Sequence, residues 1–193
     1  MSLKLENEIT VRVIIPDEQL IRFLEEKGFK EIEKFTLDDY YFIPKEIDID
    51  SLSTREIISK AIIIRDIYHK ENVTKKITFK IKDINENGEI LNQKAINCSV
   101  YSIDEAKEIF KAIGYYEIMN IKEDDTLYKR DNIELAIKFI KNSNTLIEIE
   151  TDENYRTIDE LKQIIKEINI PIEKDVYFVK KAEDELNRIL NRV

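Results

Sequence analysis

Two pairs of glutamates carry the clearest chemical potential in this sequence. Glu6 and Glu8 stand two residues apart near the start of the chain, and Glu148 and Glu150 have the same spacing near its end. Both pairs lie in segments in which apolar and polar residues alternate, a pattern that predicts β-strands. Residues i and i+2 of a strand share a face and lie ~7 Å apart. Each pair therefore offers two carboxylates on one face, and carboxylate oxygens suit hard cations such as Mg²⁺ or Mn²⁺.

The composition excludes several other kinds of site. Because His69 is the only histidine, the chain cannot form a His-rich zinc site, and a Ser–His–Asp triad would have no other histidine to use. Three glycines are too few for a Gly-rich nucleotide loop, and neither Walker A nor GxGxxG occurs. A net charge of −9 argues against a nucleic-acid partner that binds through phosphate neutralisation. An anionic small molecule remains a suitable partner, because a pocket can be locally positive or loaded with metal.

The chain has the length and hydropathy of an ordinary globular protein. Its 193 residues fit one domain, residues 1–193, or at most two small ones. No stretch approaches the ~18 apolar residues that cross a bilayer, and no signal peptide opens the chain. We therefore expect a cytoplasmic protein with no membrane partner. The single cysteine, Cys98, cannot form an internal disulfide, and we expect it to be a small buried residue on a strand.

Four amphipathic helices must help to position the glutamates. The first runs from Pro16 to Gly28, a proline start and a glycine stop. Capping boxes at Ser102–Glu105 and Thr157–Glu160 predict the next two, and an apolar stripe from Asp175 onward predicts the last. Strands are predicted between them at Lys4–Val13, 36–44, 60–68, Lys75–Ile84, Glu89–Val100, Asp131–Lys141 and Thr145–Thr151, and residues 115–129 add one strand or a bent pair. Tight turns are predicted at Asn87-Gly88 and at Asn142-Ser143-Asn144.

The charged faces of these strands indicate a polar interior. The ordinary interpretation of such alternation is one face in the core and one in water, as in an α+β sandwich. Here acids and bases follow one another on many strands, while helices are available to cover the apolar faces. A barrel with a polar bore accounts for both facts. We therefore predict an α+β fold, with a closed antiparallel eight-stranded β-barrel and its helices packed outside.

Five short segments then occur in an order that is typical of one known family. They are Glu6–Val13, Asp39–Phe42 followed by Pro44, Ala61–Arg65, Thr78–Lys80 and Glu148–Glu150. In that order they resemble the ExExK, D-x-Y-F, A-L-R-I-R, T-Y-K and E-I-E segments of the CYTH superfamily, the triphosphate tunnel metalloenzymes. Tyr177 is similar to the tyrosine that begins the family's last helix. The order and the intervening helices agree over nearly the whole chain.

The resemblance implies a tunnel of eight strands that encloses a triphosphate. Glu6, Glu8, Glu148 and Glu150 would then hold Mg²⁺ or Mn²⁺. The residues that match the family's phosphate-binding cations are Arg12, Arg65 and Lys80, with Lys82 on the same face as Lys80. For each of these cations, the alternative is a pairing with one of the glutamates.

The chain departs from the family pattern at several tunnel positions. Thr10 stands in place of the lysine of ExExK, Ile63 in place of an arginine, and Ala95 and Asn97 in place of glutamates. Glu123 and Asp125 stand where the family has K-x-R, and Lys138 where it has an acid. Because these signs are inverted together, we predict an ion pair between Lys138 and these two acids.

Two functions of different classes follow. One is a metal-dependent hydrolase of tripolyphosphate, thiamine triphosphate or a nucleoside triphosphate, or an enzyme similar to adenylyl cyclase. The other is a degenerate tunnel that binds an anionic small molecule or a metal without turnover, because each lost phosphate contact removes on the order of 1.5–3 kcal/mol. A scaffold that binds a protein on its surface is a third, weaker interpretation. Catalytic residues cannot be named from the sequence, and a homodimer stays open.

Overall fold

The computed structural model describes residues 4–86, 90–141, 143–154, 157–174 and 180–192. The strands within these ranges are β1 (Lys4–Leu5), β2 (Glu8–Arg12), β3 (Lys30–Pro44), β4 (Ile62–Tyr68), β5 (Val73–Ile84), β6 (Ile90–Ser99), β7 (Tyr115–Arg130), β8 (Ile133–Ile140) and β9 (Leu146–Glu150). The helices are α1 (Asp17–Glu26), α2 (Thr54–Ser59), α3 (Ile103–Ala112), α4 (Ile158–Ile168) and α5 (Lys180–Leu190). The predicted turn at Asn87-Gly88, part of the turn that begins at Asn142, and Tyr177 lie outside the described residues.

All nine strands form one antiparallel sheet in the order β1-β6-β5-β4-β3-β7-β8-β9-β2. The two edge strands, β1 and β2, are consecutive in the sequence, and only Glu6 and Asn7 separate them. The backbone N–H of Glu6 donates to the carbonyl of Gln93 on β6 (3.0 Å), and the N–H of Thr151 beyond β9 donates to the carbonyl of Asn7 (2.8 Å). The first segment of the chain therefore runs from one edge of the curled sheet to the other.

The prediction of a closed eight-stranded barrel is wrong, because the sheet is open. β1 pairs with β6 alone and β2 pairs with β9 alone, so no strand pairs along its length with both edges. The first strand is interrupted at Glu6 and Asn7, and Asn7 forms hydrogen bonds with residues near both edges of the sheet. Its side chain accepts from the N–H of Gln93 (2.7 Å), and its own N–H donates to the hydroxyl of Thr151 (3.0 Å).

Helices α1 and α4 cover one part of the convex face of the sheet, as predicted, and α3 covers another part. Ile9 and Val11 of β2 and Leu135 and Ile137 of β8 are buried beneath α1 and α4. They share one apolar cluster with residues of α1 and α4, namely Leu20, Leu24, Leu161, Ile164 and Ile165. The predicted capping box opens α4, since the Thr157 hydroxyl accepts from the N–H of Glu160 and the Glu160 carboxylate accepts from the N–H of Thr157. These apolar faces anchor the strands whose opposite faces carry the charges.

The last helix does not pack outside, which corrects a second part of the predicted fold. At one end the concave face of the sheet is apolar, with Tyr41, Ile63 and Met119 buried. Ala182 and Leu186 of α5 pack against this surface together with residues of α2. An apolar patch on the concave face must be covered, and α5 covers it. No helix among the described residues is long and apolar enough to span a membrane.

Cys98 is exposed, contrary to prediction. It shares the convex face of β6 with Ile96, which is 45% exposed. The alternating pattern correctly places Cys98 on a strand, but none of the described helices buries this part of the face. Exposure here is decided by the covering layer and not by the strand pattern.

Candidate functional site

Three of the four predicted metal-binding glutamates come together on the concave face. Glu8 of β2 lies directly opposite Glu150 of β9, and Thr10 lies opposite Glu148. Carboxylate oxygens of Glu8, Glu148 and Glu150 all lie within 4.8 Å of one another. We call these three residues the carboxylate cluster. Their convergence follows from the antiparallel pairing of β2 with β9, which places the i and i+2 positions of both strands on the same face.

Glu6 does not belong to the carboxylate cluster, although the strand pattern placed it beside Glu8. The interruption at Glu6 and Asn7 separates β1 from β2, so the i, i+2 relation between Glu6 and Glu8 is lost. The carboxylate of Glu6 instead accepts a hydrogen bond from the side-chain amide of Asn97 on β6 (3.4 Å).

The members of the carboxylate cluster differ in their electrostatic surroundings. Burial opposes the charge of Glu8, but Lys80 donates to both of its oxygens (2.5 and 2.6 Å) and brings the pKa of Glu8 down to about 2. The surrounding protein partly desolvates the carboxyl of Glu150, and this desolvation, followed by the charges of Glu148 and Glu8, raises its pKa to about 7 although the residue reaches the surface. A cation bound between the carboxylates would favour the charged form of Glu150.

A small enclosed space lies against the carboxylate cluster. Its volume is about 30 Å³, and Lys80, Lys82, Arg65 and Lys138 also line it. A space of this size accommodates one or two water molecules or an ion. Three converging carboxylates and room for an ion together fit a hard divalent cation better than a soft one.

A second group of charges lies deeper on the same face and is paired internally. Asp39 of β3 accepts from the guanidinium of Arg65 on β4 and from Lys181 of α5 (2.8 Å). Lys181 also donates to Glu123 of β7. Lys138 of β8 lies 3.4 Å from Glu123, 2.8 Å from Asp125 and 3.1 Å from Glu148. We call Arg65, Asp39, Lys181, Glu123, Lys138 and Asp125 the ion-pair network.

The pairing keeps most of this network charged. Burial opposes ionisation of Asp39, but Arg65 and Lys181 hold its pKa well below the usual range. Burial likewise opposes the charge of Lys138, yet its acidic neighbours raise its pKa well above the usual value. Asp125 is the exception, because burial raises its pKa to about 6 in spite of Lys138. The predicted proximity of Lys138 to both acids is therefore present in the structure.

The four predicted phosphate-binding cations do not all lie at the carboxylate cluster. Arg65, Lys80 and Lys82 line the small space at the carboxylate cluster. Burial, and then the charge of Lys80, lower the pKa of Lys82 to about 8. Arg12 lies elsewhere, because its guanidinium donates to Glu173 (2.7 Å) and to Asp184 of α5 (2.5 Å). Arg12 therefore pairs with two acids, but neither of them is one of the four glutamates predicted to bind metal.

Sequence analysis did not assign a role to Lys181 or to Asp39. Asp39 lies in a segment that matches the family pattern, but its spacing alone does not show a partner. Lys181 lies on the last helix beside the apolar stripe that includes Ala182 and Leu186, where a lysine usually points to solvent. It is only 5% exposed, because α5 packs over the concave face. No sequence signal could have placed it there.

A larger cavity opens beside the carboxylate cluster. Its volume is about 380 Å³, within the usual range for small-molecule sites. Arg65, Lys138, Glu148 and Glu150 form its charged wall. The rest of the lining is mixed. Its apolar part includes Phe35, Leu37, Ile67, Leu127 and Ala136, and its polar part includes Asp125, Lys129, Asn132, Glu134, Thr151 and Asp152. A ligand in this cavity would contact both the charges of the concave face and an apolar surface.

Comparison with known proteins gives relatives over most of the chain. No family model matches it. "Putative adenylate cyclase MJ0240" of Methanocaldococcus jannaschii is 27% identical over 169 residues, which cover 84% of this chain and 90% of that protein. The structure of PH1819 from Pyrococcus horikoshii has a TM-score of 0.70 at 16% identity and covers 95% of this chain and 99% of its own.

A plant structure is also similar. HpAC1 from Hippeastrum, described as a putative adenylyl cyclase with a dominant triphosphatase activity, has a TM-score of 0.57 at 14% identity and covers 94% of this chain and 96% of its own. At these identities the solved structures show the shared fold. The sequence relative and the ordered strand motifs add to this likeness, and together they support the resemblance of this chain to the CYTH superfamily.

Proposed function

We propose that this protein is a metal-dependent hydrolase of a triphosphate-containing small molecule. The observation that carries the proposal is the carboxylate cluster, in which oxygens of Glu8, Glu148 and Glu150 lie within 4.8 Å of one another beside Lys80 and Lys138. Carboxylates that converge in this way hold hard cations, and the adjacent lysines suit the phosphates that such cations accompany.

Glu8, Glu148 and Glu150 would hold Mg²⁺ or Mn²⁺. When bound, such an ion neutralises phosphate charge and lowers the pKa of its bound water. Lys80 is now paired with both oxygens of Glu8, so it competes with a cation for that carboxylate. Once Glu8 turns to a cation, the ammonium group of Lys80 is available to a phosphate oxygen. Metal and phosphate should therefore bind cooperatively.

The charge balance of the concave face supports this cooperative binding of metal and phosphate. Its described acids are Glu8, Asp39, Glu123, Asp125, Glu148 and Glu150, and its principal described cations are Arg65, Lys80, Lys82, Lys138 and Lys181. The two signs nearly cancel, so a triphosphate without metal meets little net attraction. One or two divalent cations would make the lining net positive. We expect tripolyphosphate to bind in the presence of Mn²⁺ and only weakly in its absence.

Binding without turnover is the second candidate function. It is favoured by the ion-pair network, because Lys138 and Lys181 are already engaged by acids of the protein itself. Thr10 adds no charge and lies close to Glu148 (3.3 Å). A ligand held mainly through metal would then lack the directional donors that stabilise a transition state.

Phosphate release distinguishes these functions. Purified protein would be incubated with tripolyphosphate, thiamine triphosphate or adenosine triphosphate, with Mg²⁺ or Mn²⁺, and orthophosphate, pyrophosphate and cyclic AMP would be measured. We expect orthophosphate, and we expect Glu148→Gln to lower its release at least 100-fold, since one of three ligands is lost. Glu117→Gln, on the exposed side of β7, is the matched control.

Three outcomes would change the assignment. Cyclic AMP and pyrophosphate from adenosine triphosphate would identify a cyclase. Metal-dependent binding of the triphosphates without any product would identify the binding protein. Equal activity of Glu148→Gln and the wild type would refute the carboxylate cluster as the reactive centre.

A further inference from the structure

Asn7 lies where the two edges of the open sheet approach each other, and it is only 1% exposed. On the β6 side, its Oδ1 accepts a hydrogen bond from the backbone N–H of Gln93 (2.7 Å). On the β9 side, its backbone N–H donates to the hydroxyl of Thr151 (3.0 Å), and its carbonyl accepts from the N–H of Thr151 (2.8 Å). We call Asn7, Gln93 and Thr151 the seam, because one buried residue bonds across the opening of the sheet.

The seam separates the two sets of charges that the proposed function needs. The carboxylate cluster belongs to β2 and β9, and Asn7 directly precedes its first member, Glu8. Lys80 and Lys82 belong to β5, which pairs with β6, and Gln93 is the cross-strand partner of Lys82. Because the sheet is open between β2 and β6, no strand ladder among the described residues joins these two sets directly. Their separation depends on the contacts that cross the seam.

The ion pair of Lys80 with Glu8 (2.5 Å) also crosses the seam. In the proposed function Glu8 turns to a cation, and this ion pair is then lost. The hydrogen bond of Asn7 with Gln93 involves neither a carboxylate nor a lysine, so it persists when the ion pair is exchanged. It is therefore the contact that still holds the two sets of charges at a fixed distance when ligands are bound.

We propose that Asn7 is a positioning residue: its hydrogen bond to Gln93 holds Lys80 and Lys82 beside the carboxylate cluster, so that metal and phosphate bind cooperatively. This inference rests on the proposed function, because it takes the carboxylate cluster as the metal site and the two lysines as phosphate ligands. Asn7 lines neither the 30 Å³ space nor the 380 Å³ cavity. It acts through its charged neighbours and not by touching a ligand.

The seam should loosen, and not open, when the Asn7 side chain is shortened. The N–H of Glu6 still donates to the carbonyl of Gln93 (3.0 Å), and α4 still contacts both β2 and β6. What is lost is the acceptor for the buried N–H of Gln93. A buried N–H without an acceptor has a free-energy cost, so the two sides should move apart until water reaches it. The lysines would then move away from the carboxylates together with β6.

Calorimetry with a hydrolysis-resistant ligand measures the coupling between metal and phosphate. Methylene-bridged tripolyphosphate and Mn²⁺ would each be titrated alone and in the presence of the other, and their association in protein-free solution would be included in the fit. The factor by which Mn²⁺ lowers the Kd of the analogue is the coupling factor, and linkage requires the same factor for the effect of the analogue on Mn²⁺. We expect a coupling factor of about 100 for the wild type.

Asn7→Ala should lower the coupling factor about tenfold, the effect of one lost hydrogen bond. Its Kd for Mn²⁺ alone should stay within about threefold of the wild-type value, because Glu8, Glu148 and Glu150 remain on paired strands. A merely structural role of Asn7 would lower stability and leave the coupling factor unchanged. Asn92→Ala, at an exposed position of β6, is the matched control and should keep the wild-type coupling factor.

Hydrogen exchange of the Gln93 N–H tests the seam in the wild type. Two-dimensional NMR with diamagnetic Mg²⁺ measures this exchange. The N–H should be protected in the ligand-free protein, and its exchange rate should change by less than about threefold when Mg²⁺ and the analogue bind, because the Asn7 hydrogen bond persists. In Asn7→Ala the same N–H should exchange about tenfold faster or more.

Several results would overturn the inference. They are a wild type without coupling, an Asn7→Ala coupling factor equal to that of the wild type, or exchange of the Gln93 N–H that becomes about tenfold faster when Mg²⁺ and the analogue bind to the wild type. The last result would show that the seam opens at Asn7. Phosphate release from tripolyphosphate is a separate measurement. Lowered coupling in Asn7→Ala without release by the wild type would refute hydrolysis and leave this inference standing, and release with unchanged coupling would do the reverse.

Discussion

The carboxylate cluster and the ion-pair network share one concave face but differ in how their charges are balanced. In the network, Asp39 lies between Arg65 and Lys181, and Lys138 contacts three acids. In the cluster, three carboxylates converge, and the pKa of Glu150 rises to about 7. In the first region acids and bases alternate, whereas the second brings three like charges together.

The difference indicates that lysines, arginines and carboxylates hold the fold together in one region and are available to bind a ligand in the other. A buried ion pair contributes little net stability, because desolvation offsets the attraction, but removing one partner leaves an uncompensated charge. The network should therefore be costly to break. The cluster should respond to metal and be cheaper to alter.

Lys138→Met should have the largest effect on stability. It leaves Asp125, Glu123 and Glu148 without their shared cation, and the expected loss is about 3–5 kcal/mol in the free energy of unfolding. Urea denaturation at pH 7 measures it. Lys141→Met, at an exposed position just beyond β8, is the matched control. A loss below about 1 kcal/mol for Lys138→Met would contradict the division into two regions.

Asp125→Asn should change how stability depends on pH. The folded-state pKa of Asp125 is about 6, above its ordinary value of 3.8, so between these values the folded protein binds more protons than the unfolded chain. Stability from this group is therefore lost as pH rises from about 4 to 6. From pH 4 to pH 7 the variant should gain on the order of 2 kcal/mol relative to the wild type.

Urea denaturation across this pH range tests the Asp125 prediction, with Asp124→Asn as control. If the free energy of unfolding of the Asp125 variant and of the wild type changed with pH in parallel, Lys138 would fully offset the effect of burial on the pKa of Asp125. The prediction of a raised pKa would then be wrong.

Arg12→Met should have the smallest effect. Arg12 is partly exposed and pairs with Glu173 and Asp184, so its loss should lower the free energy of unfolding by about 1 kcal/mol. Because Arg12 lines neither cavity described above, the Kd for tripolyphosphate with Mn²⁺ should stay within about twofold. Arg22→Met, on the exposed side of α1, controls for a lost surface pair. A tenfold weaker Kd would make Arg12 a phosphate ligand, as its match to the family pattern implied.

Much of the local structure was predictable from the sequence. The capping box at Thr157–Glu160 predicted the start of α4, and the alternation around Glu148 and Glu150 predicted β9. The short helix α2 was missed, although Ser53 and Glu56 form the same kind of capping box, because six residues show too little apolar periodicity.

The site was predictable only in part. Glu8, Glu148 and Glu150 converge because their strands pair, and alternation correctly placed their side chains on one face. Glu6 was grouped with them by the same rule, and the interruption at Asn7 removed it. An interruption of this kind arises from hydrogen bonds to two distant strands, which a local pattern does not contain.

By itself the sequence determined which segments are strands and helices, which faces of the strands carry charge, and which superfamily the chain resembles. The tertiary structure alone decided that the sheet stays open, that α5 packs on the concave face and that Lys181 lies between Asp39 and Glu123. Local patterns depend on neighbours within a few residues, whereas Asp39 and Lys181 are 142 residues apart. Whether a buried charge is satisfied depends on such distant contacts, because burial removes the water that would otherwise solvate it.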